Sequence, residues 1–437
     1  MSSNNKGGKV RKIISACAAL AALAVIAGAA YAAGGANGGN VTTLTLWHNY
    51  GTGGNAVATQ KLVAAFEKQN PNIKINVVSQ PGGNYFQLLQ AAWIGHTDPD
   101  LSVQWTGLFD TKYESHLLNL KPYFTSAELD KINGAKWASS NFDPAQGLLV
   151  MPLENQFYMG FYNKALFRKA GVKSVPTDWS QLFAACTKLK AAGITPIVYG
   201  ADPQAIGPNP YPYYDLSYIA AGIWTPAQLK GLYTGQAAWT SPALVRQVST
   251  WASMPKHGCT NSDVLTKTNI LGAFMKGQAA MIIDGNWDTA TLRKALGANV
   301  APILPPFTSK PQHGVVQYSG DGFAVSKDSS HQKEAVEFLK FLMTPTAQHI
   351  IAAAGLIPDI KGYAATNPLA NQMLAFAKSG KTVYPMIDNV IQGDVVTTGM
   401  KQLDAALGGD TSAAAALKSM KQTHDSLPSD QRGSVYH

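Results

Sequence analysis

The sequence predicts an α/β protein of two domains behind an amino-terminal export segment. Three observations carry this. From residue 41 onward, β-favouring runs alternate with amphipathic helical runs. The body after the export segment is roughly 400 residues, more than one small core organises. Residues 274–287 join a helix end at Gly277, an apolar strand over 280–283 and a Gly285-Asn286-Trp287 turn that presents an indole at a strand end.

The first 33 residues read as targeting. Lys6, Lys9, Arg11 and Lys12 precede an uncharged run over 13–33, with small residues around Ala30-Tyr31-Ala32. That pattern fits a signal cleaved near Ala32. At about 20 residues the run is also long enough for a retained membrane anchor. Both readings place the body outside the cytoplasmic membrane: extracellular, periplasmic or held at the outer face. Cys17 precedes the apolar run instead of following it, which argues against lipid attachment there. Residues 34–40 form a Gly-rich linker.

In the body, residues 41–47 alternate as a first strand, and Gly51 to Gly54 turn the chain into a helix over 58–69. Asn70-Pro71-Asn72 stops that helix before a second strand over 73–78. A helix over 85–94, a break at Pro99-Asp100 and a strand over 101–104 complete a βαβ succession, which implies a largely parallel sheet. The pattern resumes with a strand over 157–162, helices over 164–170 and 179–192, and a strand over 196–199. A strand near residue 323 leads into a helix over 332–343, and the final third reads as mostly helical.

Composition and motifs exclude several function classes. With 46% hydrophobic and 14% charged residues the chain is globular. The formal charge of +9 includes four basic residues of the export segment, leaving +5 for the body with no Arg cluster. Nucleic acid is therefore not an expected partner. Only Arg168, Arg246, Arg293 and Arg432 follow residue 32, which disfavours a dedicated phosphate site. Gly51-Thr52-Gly53-Gly54-Asn55-Ala56 fits a dinucleotide fingerprint, but His48-Asn49-Tyr50 separates it from the strand and no acid ends the second strand. Hydrolase, metalloprotease and redox motifs are absent from the sequence, so no catalytic residue, metal or cofactor is expected. Asp100, Glu154, Asp284, Asp288 and Asp321 could still supply a glycosidase pair, which keeps an exported glycoside hydrolase as the alternative. Cys186 and Cys259 form either a disulfide or two buried thiols.

Several segments together resemble the extracellular solute-binding proteins of ABC importers, the sugar-binding family that includes maltose-binding protein. They are Leu44-Thr45-Leu46-Trp47 with Phe66-Glu67-Lys68-Gln69-Asn70-Pro71; Asp98-Pro99-Asp100-Leu101; and Tyr162-Asn163-Lys164-Ala165-Leu166-Phe167 with Pro176-Thr177-Asp178-Trp179. The run over 277–287 and the blocks at 320–327 and 335–345 complete the match. The resemblance implies two α/β lobes joined by crossing strands: 41–152 with 306–357, and 153–305 with 358–437. It implies capture of a mono- or oligosaccharide by lobe closure and delivery to ABC permease subunits, by a monomer. A sugar sensor of the same fold is a further alternative.

Loops after strands are where α/β sheets bind ligands. His48, Asn49 and Tyr50 follow the first strand and match the family's first polar loop. Trp105 and Thr106 follow the third. Glu154, Asn155 and Gln156 lie near the first crossover; Tyr318, Gly320 and Asp321 lie beside a later one. Asn286 and Trp287 match the family motif, with Trp287 the strongest candidate for stacking on a sugar face. Tyr85 and Trp224 read first as core. Tyr211, Tyr213, Tyr214 and Tyr218 read as surface packing near one rim.

Overall fold

A computed structural model describes residues 41–51, 53–107, 113–139, 143–200 and 212–432. The export segment, the linker and Tyr211 lie outside them. Among the described residues no helix is long and apolar enough to cross a membrane.

Among the described residues, eleven strands form two sheets. The first comprises β1 (Thr42–His48), β2 (Ile73–Ser79), β3 (Leu101–Gln104), β4 (Met151–Pro152) and, from late in the chain, β10 (Gly322–Val325), in the order β2-β1-β3-β10-β4. The second comprises β5 (Asn155–Asn163), β6 (Thr195–Ile197), β7 (Ala279–Gly285), β8 (Val300–Ile303), β9 (Gly314–Ser319) and β11 (Thr382–Tyr384). Its order is β11-β9-β5-β7-β6, with β8 also on β5.

The expected parallel character holds only in part. β1 runs parallel to β2 and β3, but β10 is antiparallel to both its neighbours. The second sheet is organised on β5, which is antiparallel to β7, β8 and β9. Part of the reason is topological: β4 and β9 lead into crossings whereas β10 and β5 emerge from them, so β10 opposes β4 and β5 opposes β9.

Each sheet has its own core. Leu44 and Leu46 of β1 pack with Leu62 and Phe66 of the helix Gly54–Gln69 and with Phe338 of the helix Gln332–Leu342. The helix buries Ala58, Leu62, Val63 and Phe66 at the i, i+4 and i+3 spacings that make one apolar face. The second core gathers Phe157, Phe161, Ile282, Ile283 and Trp251. Local signals set its helix starts: Asn163 and Asp178 accept backbone N–H bonds at the starts of Lys164–Lys169 and Trp179–Ala191. Tyr213, Tyr214 and Tyr218, expected at the surface, are buried in this core. The Tyr218 hydroxyl donates to Tyr158 O, and a buried carboxylate beside them collects other polar groups. Asp215 accepts from Tyr158 at 2.9 Å, Tyr199 at 2.6 Å and the Trp251 indole at 3.0 Å. Cys186 and Cys259 are joined in a disulfide, with Cα atoms 5.0 Å apart.

The chain crosses between the sheets at three places. Leu153 and Glu154 separate β4 from β5, and Gly320 and Asp321 separate β9 from β10. Residues 354–360 lie alongside, with Glu154 bridging Pro358 and the Asn155 N–H bonding Ile357 O at 2.8 Å. Because β9 pairs with β5 and β11, residues 314–319 belong with the second sheet. On strand pairing, the return crossing falls at Gly320–Asp321 and not at the expected 305/306.

Candidate functional site

The crossing strands place Glu154 where the two sheets meet, and its surroundings define the site. Its side chain is fully buried. Oε1 accepts from Asn55 Nδ2 at 2.7 Å and Gln156 Nε2 at 2.9 Å; Oε2 accepts from Asn286 Nδ2 at 2.7 Å. Asn55 opens the helix Gly54–Gln69 of the first lobe, whereas Gln156 and Asn286 belong to the second. One carboxylate thus ties both lobes. Burial pushes its pKa up to about 7, against the lowering effect of the three amides.

Asn286 follows β7 and is fully buried. Its Oδ1 accepts the Phe157 N–H at 2.6 Å, and its Nδ2 also reaches Asn155 O at 3.2 Å. The structure therefore commits the Glu154 carboxylate to three side-chain amides, and Asn286 to Glu154 and the backbone. Trp287, half-buried in a short 3₁₀ turn, folds its ring back over Gly285, where a Cβ would meet the indole at 2.0 Å. Its side chain hydrogen-bonds Asp284. Asp284 and Asp288 share a further hydrogen bond, and burial raises both, Asp284 more because Asp288 adds like charge. The Trp287 carbonyl lies 3.2 Å from where a Cβ on Gly54 would stand. The glycine-rich loop that resembled a dinucleotide fingerprint thus receives backbone of the other lobe.

His48 is the last residue of β1, not the first after it. Its ring is buried and stacks on Tyr50 with centroids 5.5 Å apart. Burial lowers its pKa, so the neutral imidazole is favoured. Nδ1 accepts the Tyr50 N–H at 3.2 Å. Asn49 Oδ1 is buried without a protein donor. Tyr50 is held protonated by burial and by the nearby charges of Asp321 and Glu154. Trp105 packs edge-on against Phe86, with centroids 5.1 Å apart, and leans on the first core. Asn155 Oδ1 accepts from Gln317 Nε2 at 3.1 Å. Gly320 is required by close approach: a Cβ there would stand 2.5 Å from Gln156 Cγ and 2.8 Å from Glu154 O. Tyr318 sits beside Gln156 in the sheet and is buried. Tyr85 is fully buried and bonds Val103 O at 3.0 Å, while Trp224 packs against the second core.

Thr106 does more than line a loop. Asn389, in the turn Ile387–Asn389 of the second lobe, donates from Nδ2 to Thr106 O at 2.7 Å, and Thr106 Oγ1 donates to Ser319 O. Gly107 follows at φ +89°, and a Cβ there would lie 2.5 Å from both Cα and O of Asn389. The lobes therefore touch directly here. Asp388, beside this contact, is raised to about 7 by burial. Asp321 is raised further, by burial and by the charges of Glu154 and Asp388. Asp388, Asn389, Asp359 and Asn55 escaped sequence reasoning: the first three stand in no periodic or motif-bearing run, Asn55 stands only in the glycine-rich run that resembles a dinucleotide fingerprint, and only long-range contacts bring them here. Asp100, a carboxylate candidate, lies elsewhere, accepting from Thr45 N at 2.8 Å and Ser329 Oγ at 2.5 Å. Among the described residues no group of three or more His, Cys, Asp or Glu side chains suits a metal ion.

The sequence profile of the bacterial extracellular solute-binding proteins matches residues 50–349. The chain belongs to that family. The resemblance to ABC sugar-binding proteins read from the motifs is borne out, and so is the two-lobed fold. Relatives of this solute-binding protein include an uncharacterized ABC transporter extracellular-binding protein of Pyrococcus horikoshii. It is 24% identical, with 82% of this chain and 80% of the relative covered. The melibiose/raffinose/stachyose-binding protein of Bacillus subtilis is 23% identical over 72% of this chain and 74% of its own length. Among solved structures, a chitin oligosaccharide binding protein superposes with a TM-score of 0.79 at 23% identity, covering 90% of this solute-binding protein and 100% of that chain. A Bacillus licheniformis sugar transporter in complex with stachyose gives 0.70 at 17% identity, covering 87% and 98%.

Proposed function

We propose that this protein is the extracellular component of an ABC importer that captures a mono- or oligosaccharide between its lobes and hands it to membrane permease subunits. The observation that carries the reading is the polar cluster on Glu154, where amides from both lobes converge beside the half-buried Trp287 and Tyr50. Sugars offer hydroxyls and apolar C–H faces, and such a site answers both. Each neutral hydrogen bond contributes only about 1 kcal/mol net, so affinity requires several to converge. A guest that bridges the lobes favours their closed arrangement by its additional contacts there. The three sugar binders named among the relatives and neighbours support the same class.

On this reading the protein acts as an exported monomer, soluble or held to the membrane by its amino-terminal segment. The first lobe is residues 41–152 with 322–357, and the second is residues 153–321 with 358–432. Thermal-shift and calorimetric panels of mono- and oligosaccharides test the proposal, with chromatography of the recovered sugar. Ligand-stabilised melting with the sugar recovered intact is expected. Cleavage products would replace capture by hydrolysis, and no shift with any sugar would remove the carbohydrate reading.

A further inference from the structure

Among the described residues around the crossing strands, buried side-chain acceptors without a protein donor outnumber buried donors, of which the Tyr50 hydroxyl is one. Gln156 turns its amide nitrogen to Glu154, which leaves Oε1 buried with no protein donor. Asp388 Oδ1 and Asp359 Oδ1 are also buried and unpartnered. Asp388 is 5% exposed, Asp359 fully buried and Gln156 3% exposed, so water does not readily serve them. The Gln156 side chain lies against Gly320, directly before Asp321. Asp321 in turn lies close enough to Glu154 and Asp388 to feel both charges. Among the described residues none of these four carboxylates has a Lys or Arg within ion-pair distance.

Resting on the sugar-capture reading above, we infer that the solute presents a protonated amine to Asp321, Asp388 and the Gln156 carbonyl oxygen, which makes it an amino sugar with a free amine. A hydroxyl brings one donor and two acceptor lone pairs, whereas an ammonium brings three donors and no acceptor. Only the latter matches a wall of acceptors without adding to it. Charge-assisted bonds are roughly twice as strong as neutral ones. A cation also relieves the mutual repulsion of buried carboxylates, which otherwise favours their protonation.

The test is calorimetry on matched sets: glucosamine, galactosamine and mannosamine against their parent and N-acetylated sugars, with β-1,4-linked oligomers of glucosamine, N-acetylglucosamine and glucose. Measurements at about pH 7 keep an amine near the ~7.7 pKa of an α-amino group largely protonated while letting Asp388, raised to about 7, ionise. The free-amine member of at least one set is expected to bind at least tenfold tighter than its partners. That ratio should shrink in Asp388→Asn and in Asp321→Asn, two variants so that misfolding of one leaves the other to report. Equal or tighter binding of the hydroxyl or acetamide member overturns the amine while sugar capture stands. Absence of heat and of a melting shift throughout overturns both.

Discussion

Gly107→Ala tests whether the observed contact between lobes belongs to the binding-competent state. The new Cβ would stand 2.5 Å from Asn389 Cα and 2.5 Å from its carbonyl oxygen, where carbon contacts optimally sit at about 3.5–4.0 Å. Both obstacles are backbone, so no rotamer change clears them and the lobes must part by about 1 Å. Parting at that point stretches the 2.7 Å bond from Asn389 Nδ2 to Thr106 O, a loss of about 1 kcal/mol. An alanine at φ +89° adds about 1–2 kcal/mol of backbone strain. The strain acts in every state that keeps this φ, whereas the clash acts only when the lobes meet. Closure should therefore lose at least about 1.4 kcal/mol, a tenfold rise in Kd by calorimetry. Small-angle scattering of the liganded variant should show a larger radius of gyration than the liganded parent. An unchanged Kd with unchanged dimensions would refute the reasoning, because it would mean that ligand binding does not require Gly107 and Asn389 to approach.

Trp287→Ala removes the indole above Gly285 and its bond to Asp284, and should weaken sugar binding at least tenfold while circular dichroism stays native; unaltered calorimetric affinity removes Trp287 from the site. Glu154→Gln sets an amide donor against at least one of the Asn55, Gln156 and Asn286 N–H groups. Unfolding titrations should show about 1–3 kcal/mol of destabilisation, the cost of one orphaned buried donor. Acidity should stabilise the ligand-free protein. Burial raises Glu154, Asp215 and Asp388 to about 7 and Asp404 to about 8, so the folded state holds protons that the unfolded state releases. Their contribution is complete below the ordinary carboxylate range of about 4 and is lost as pH rises through about 7 to 8. The lowered His48 acts the opposite way but is one group against four. Scanning calorimetry should give a higher Tm at about pH 5.5 than at about pH 8, and a flat or inverted profile would contradict these assignments.

What the sequence disclosed was local. The helix over 85–94 and the strand over 101–104 match the structure residue for residue, since periodicity and breakers are near-neighbour properties. The stretch from Tyr162 to Trp179, prominent in the family resemblance, proves to carry scaffold chemistry. Asn163 and Asp178 cap helices there, and the Trp179 indole bonds Gln247 at 2.6 Å. Strand direction in the second sheet was not legible, because pairing β5 with β7 joins residues more than a hundred positions apart. The same applies at the site. Glu154 and Gln156 could be nominated from their place near a crossover, but not the bond to Asn55. Met386-Ile387-Asp388-Asn389 carries no motif or alternation that would nominate Asp388 or Asn389. The tyrosines were misjudged for a related reason: the acceptor of the Tyr218 hydroxyl, Tyr158 O, stands 60 positions away in the sequence.

Both half-cystines, 186 and 259, pack inside the second core, on one side of the crossing strands. The covalent staple consequently stiffens one jaw without tethering it to the other. Thiol chemistry in the surroundings would alter how firmly that jaw holds its own shape, while leaving the travel of the bite unrestrained.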